Sequence, residues 1–88
     1  MGFEFDSDKS KTNKKKHAID FIEAQRLWEN PTLELSSKNP SEPRKLVIGI
    51  IDGIHWTAII TPRGNNTRII SVRRSRDEEK KIYRQNDR

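Results

Sequence analysis

Between Lys45 and Val72 the chain carries three strand-like runs joined by two short turns, and that block leaves few folds open. Lys45 to Ile51, KLVIGII, is apolar and β-branched nearly throughout, as expected of a strand covered on both faces. Asp52-Gly53 follows as a two-residue hairpin turn, because both residue types tolerate positive φ. Ile54 to Thr61 is the returning strand, PRGNN a loop, and Thr67 to Val72 a third strand. Phe3-Glu4-Phe5 alternates like a short first strand, and Thr32 to Leu35 has the same character. SSKNPSEP reads as an exposed loop rich in turn residues.

The other segments are helical. Asp6, Ser7 or Asp8 can cap a polar helix running to about His17, since a short oxygen-bearing side chain accepts from the otherwise unpaired first amides. That helix has almost no apolar face and must lie on the surface, anchored at its end by Ala18 and Ile19. Asp20-Phe21-Ile22-Glu23 has capping-box spacing, and Phe21, Ala24 and Trp28 then form an apolar stripe with Leu27 beside it, up to the stop at Pro31. Ser75-Arg76-Asp77-Glu78 is a second capping box opening a last helix to about Asn86. The predicted fold class is α+β: an antiparallel sheet of about four strands, two N-terminal helices and one C-terminal helix, in a single domain over residues 1–88.

Composition narrows the chemistry. With 88 residues, about 60–65% of the unfolded surface can be buried, which allows one modest core. There is no cysteine, so disulfides, thiolate metal sites and cysteine nucleophiles are excluded. The longest apolar run, Leu46 to Ile51, is far too short to span a bilayer, and the acidic N-terminus does not read as a signal peptide, so a soluble cytoplasmic protein is expected. The two histidines have no carboxylate spacing suggestive of a metal site, and Trp56 and His55 read as core and structural residues.

The net charge of +5 is unevenly spread, with nine bases against four acids in residues 63–88. Three of those bases, Arg73, Arg74 and Arg76, crowd the junction between the last strand and the last helix. Strand alternation sends Arg73 and Arg74 to opposite faces, while Tyr83 lies seven residues after Arg76 on one helical face. Solvated arginines paired to nearby acids and a phosphate site beside a helix N-terminus both remain open, and the phosphate reading requires the guanidinium groups to converge on one hollow. Lys9, Lys16 and His17 lie partly on one side of the first helix, either as a solvated face or as a second phosphate-contacting ridge. Arg63 sits in a loop at a strand end, where function often resides.

Taken in order, FEFD, the Lys-rich run ending in KH at His17, DFIEAQRLWENP, RKLVIGIIDG and ITPRGNNTRIISVRRSRDEEKKIY resemble the BrnT-type toxins of bacterial type II toxin–antitoxin systems. Phe5 stands where that family commonly has Trp, and Ala18 where it commonly has Gly. The resemblance implies a RelE-like fold and an endoribonuclease that inhibits translation by metal-independent RNA cleavage, with no cofactor. It further implies attack of the RNA 2′-hydroxyl on the adjacent phosphorus, which needs a proton acceptor, a proton donor and positive charge.

Matched residue by residue, the family likeness assigns charge stabilisation to Arg63, Arg73, Arg74 and Arg76, and acid–base or stacking work to Tyr83 and His17. Lys16, Lys80 and Arg68 fall to RNA binding, and the general base stays open between His17, Tyr83 and Glu79. The implied partners are an RNA substrate and a cognate BrnA-type ribbon-helix-helix antitoxin, with DNA contacted only through the antitoxin and no membrane. A non-catalytic nucleic-acid-binding module and a pure antitoxin-binding protein are the competing readings.

Overall fold

The computed structural model describes residues 2–36 and 43–86, so most of the SSKNPSEP loop lies outside the described residues. The three strand-like runs after Arg44 form the middle of the sheet: β3 (Lys45–Ile51), β4 (Ile54–Arg63) and β5 (Asn66–Arg74). Asp52 and Gly53 both have positive φ, 51° and 81°, which gives their two-residue turn the twist a hairpin needs. The second turn is tighter than predicted. Pairing continues to Arg63 opposite Asn66, because Pro62 lies beyond the end of β3 and its missing N–H interrupts no ladder.

The α+β class holds, but the sheet has five strands and is mixed. Its order is β1-β5-β4-β3-β2, with β1 (Gly2–Glu4) parallel to β5 at one edge and β2 (Leu33–Ser36) antiparallel to β3 at the other. Both weak strand signals therefore join the sheet. The expectation of about four antiparallel strands fails because the helix after β1 returns along the sheet edge, which leaves β1 parallel to β5.

That helix, α1 (Ser7–His17), is capped by Asp6, whose side chain accepts from the Asp8 and Lys9 amides. Its inner face is polar. Asn13, only 6% exposed, donates to the carbonyls of Ile19 and Val72 at 2.8 and 2.9 Å and accepts from the Val72 amide. Ser10 Oγ accepts from the Phe21 amide. Asn13 thus satisfies the backbone of β5 just where β1 has ended, and it substitutes for a strand neighbour.

α2 (Phe21–Ala24) carries the predicted capping box on Asp20 and Glu23, but it is a single α-turn followed by a 3-10 segment, Gln25–Glu29. The buried residues Phe21, Ala24 and Leu27 are spaced by three, which a three-residue turn aligns and a 3.6-residue turn does not. Gly49 on β3 lets Leu27 approach; a Cβ there would meet Leu27 Cδ2 at 2.9 Å. With Val47, Ile51, Trp56, Ala58, Ile60, Ile69 and Val72 these side chains form the core on one face of the sheet. Helix α3 (Asp77–Asn86) crosses the opposite face.

Candidate active site

The predicted capping box at the start of α3 is shifted by one residue. Ser75 is not the cap: its amide donates to the His55 carbonyl and its hydroxyl pairs with Thr57 Oγ1 at 2.8 Å. Sheet pairing therefore runs one residue past Arg74. Glu79 takes the acidic position instead, accepting from the Arg76 amide at 2.7 Å.

Glu79 also determines what Arg73 can do. Arg73 shares a face with Thr57, under α3, and binds Glu79 through both guanidinium nitrogens at 2.7 and 2.8 Å. Thr57 donates a further bond to the same carboxylate. Burial alone would raise the Glu79 pKa, but the bonds from Arg73, the Arg76 amide and Thr57 bring it down to about 2. A carboxylate that acidic and that fully bonded is a poor proton acceptor at neutral pH, and Arg73 is committed to holding it.

Arg74 takes the other face. Its guanidinium sits 5.5 Å from the centre of the Trp56 ring and is exposed. With Gly53, Ile54, His55 and Lys80 it lines a hollow of about 230 Å³ at the end of the sheet. The His55 ring stands edge-on to Tyr83, centroids 5.7 Å apart. Burial and the charges of Arg84 and Lys80 hold the imidazole below its usual pKa, so it is largely neutral at pH 7 and can accept a proton. Tyr83 is buried, and its hydroxyl donates to the Pro31 carbonyl at 2.9 Å, which fixes the wall behind His55. One neutral imidazole among Arg74, Lys80 and Arg84 can bind a phosphodiester and remove a nearby proton.

The arginines do not converge on one hollow, so the phosphate site expected of the three-arginine cluster is not formed: Arg73 is held by Glu79, and only Arg74 of the three lines the hollow. Of the predicted residues, the structure brings Arg74 and Lys80 together in the hollow, with Tyr83 behind it. Arg76 is exposed at the start of α3, and its side chain does not line the hollow. It also does not share a helical face with Tyr83, because it is the residue before the helix. Arg63 and Arg68 lie at the far end of the β4–β5 hairpin, Arg68 being 3.9 Å from Glu4 and about 20 Å along the strand from Arg74. Lys16 and His17 end α1 one turn past Asn13 and are not among the lining residues.

Sequence alone marks His55 as structural, whereas the structure places it in the lining of the hollow. The signal that could have found it is register: a hairpin turn at Asp52-Gly53 and a strand ending at Arg74 place position 55 beside the arginine pair. Among the described residues, no three His, Asp or Glu side chains cluster as metal ligands.

Residues 5–79 match the family described as ribonuclease toxin, BrnT, of type II toxin-antitoxin system. The chain belongs to this family. None of the curated proteins compared with it matches. As a BrnT-family chain it is a ribonuclease toxin of a type II pair, whose partner by class is an antitoxin. The matched span includes His55, Arg73, Arg74 and Glu79, while Lys80, Tyr83 and Arg84 follow immediately after it.

Proposed function

We propose that this BrnT-family toxin cleaves single-stranded RNA without a metal ion, at the hollow formed by His55, Arg74 and Lys80. The observation that carries this reading is that a neutral, low-pKa imidazole and two cationic side chains line one depression at the end of the sheet. Arg74 holds the non-bridging phosphate oxygens through its planar fork. His55 takes the proton of the RNA 2′-hydroxyl as that oxygen bonds to phosphorus. The bond from phosphorus to the 5′-oxygen breaks, and the departing oxygen receives a proton from the Lys80 ammonium. The products are a 2′,3′-cyclic phosphate and a 5′-hydroxyl, and no water is consumed in this step. Arg84 keeps the potential positive where the phosphorane gains charge.

An arriving phosphate also offsets the cations that depress His55, so the imidazole becomes a stronger base once substrate is bound. Exposed Arg76 extends this surface along the RNA backbone, and Arg63, Arg68, Lys16 and His17 serve as outlying contacts. Such cleavage in the cytoplasm stops translation, and a BrnA-type ribbon-helix-helix antitoxin neutralises it, so that DNA is reached only through the antitoxin.

The test is to incubate purified, folded protein with single-stranded RNA and excess EDTA and to map the ends. Cyclic phosphate and 5′-hydroxyl ends are expected. Intact RNA would favour a module that only binds, and 5′-phosphate ends would require a different reaction.

A further inference from the structure

A roomier depression, about 460 Å³, lies away from the hollow, between α1 and the start of α2. Its lining includes Phe5, Lys11, Lys14, Lys15, Asp20 and Ile22, with the Asp20 carboxylate taken up by the Glu23 amide, and none of its lining residues belongs to the hollow. We infer that this groove is where the toxin grips its antitoxin, and that its occupant is an acidic segment carrying a large apolar side chain. The inference rests on family membership, which makes an antitoxin the partner, and not on the hollow being catalytic.

Three features support that occupant. The first is Ile22, 66% exposed at the second position of α2. An acidic side chain there would complement the helix N-terminus, so helix stability gives no reason for an isoleucine. Beside it, the Phe5 ring sits edge-on to Phe21, with centroids 5.8 Å apart, and extends the apolar floor.

The second feature is the rim. Lys11 and Lys15 are four apart on α1, hence on one side of the helix, and neither makes an ion pair among the described residues. Carboxylates flanking an apolar side chain would meet both lysines while that side chain covers Ile22. RNA would neutralise the lysines but leave the isoleucine in water, so the combination fits a protein segment better than a nucleic acid.

The third feature is that the walls are fixed. Lys14 bonds to Glu23 across the two helices at 2.6 Å, and Ser10 holds the Phe21 amide from below. A groove already formed costs less ordering on binding.

The experiment titrates purified toxin with its full-length cognate antitoxin, for wild type, Ile22→Glu and a Lys11→Glu/Lys15→Glu double variant. Each variant is expected to weaken antitoxin binding at least about tenfold, the double variant also with a shallower salt dependence. RNA cleavage by the toxin alone should stay within about twofold. Ile22→Glu should unfold at the same temperature or higher, which separates lost contact from lost fold. Antitoxin affinity within about twofold of wild type in both variants would overturn the inference. So would variants that cut or bind RNA poorly while retaining the antitoxin, since the groove would then be an RNA surface.

Discussion

Arg73 and Arg74 are chain neighbours with the same side chain, yet the structure uses them in opposite ways. Arg73 lies under α3 and is locked by two bonds to Glu79, whereas Arg74 stands at the sheet end beside His55 and Lys80. Strand alternation puts them on different faces, and what covers each face decides the rest. The covered arginine has become part of the architecture. The uncovered one keeps its charge available to a ligand. A cluster of like residues in sequence is therefore not one site until the coverage of each face is known.

The sharpest way to break this comparison is Arg73→Ala. It strands the Glu79 carboxylate under α3, and such unpaired buried charges cost about 3–5 kcal/mol. Thermal unfolding should fall by at least about 12 °C, at roughly 4 °C or more per kcal/mol for a domain this small. The same pair sets an acid limb. The folded pKa of Glu79 lies below its unfolded value of 4.5, so its contribution is fully present above pH 4.5 and is lost as pH falls towards about 2. That linkage is worth roughly 3 kcal/mol and should shrink in a pH series on the Arg73→Ala variant, where only the Arg76 amide and Thr57 still hold the carboxylate.

Asn13→Ala comes next. It leaves the Val72 amide and carbonyl and the Ile19 carbonyl without their buried partner, and should cost about 2 kcal/mol by denaturant unfolding. Arg74→Ala sharpens the contrast with Arg73. RNA cleavage should drop about tenfold in kcat/KM, roughly 1.4 kcal/mol, with stability unchanged within about 0.5 kcal/mol.

The smallest effect belongs to Ala18, which caps α1 with a left-handed φ of 64°. Ala18→Gly relieves that strain and should stabilise the chain by about 0.5–1 kcal/mol in the same denaturant series.

The sequence made the sheet legible where local chemistry decides structure. The Asp52-Gly53 turn, the apolar β3 run and the Asp20–Glu23 capping box all form as read. It was less informative where long-range partners decide. The parallel pairing of β1 depends on α1 returning along β5, and nothing near Phe3 encodes that. Ser75 looked like a cap because its pairing with Thr57 and His55 is invisible in a linear chain.

The site followed the same rule. Arg74 and Lys80 were marked by charge, but His55 joins them only through hairpin register and the packing of α3. Asn13 was hidden in a lysine-rich helix, although Ser10 and Asn13, three apart and so on one side of it, are a usable sign of a polar inner face.

The claim that catalysis resides at the uncovered end of the sheet is tested most directly by the pH dependence of kcat/KM for RNA cleavage in wild type and His55→Gln. Free-enzyme pKa values appear in that profile. Wild type should lose activity on the acid side with an apparent pKa below 6.5, and His55→Gln should cut about 100-fold more slowly with that limb gone. An acid limb of unchanged position in His55→Gln, at a rate near wild type, would place the proton acceptor elsewhere and contradict the account.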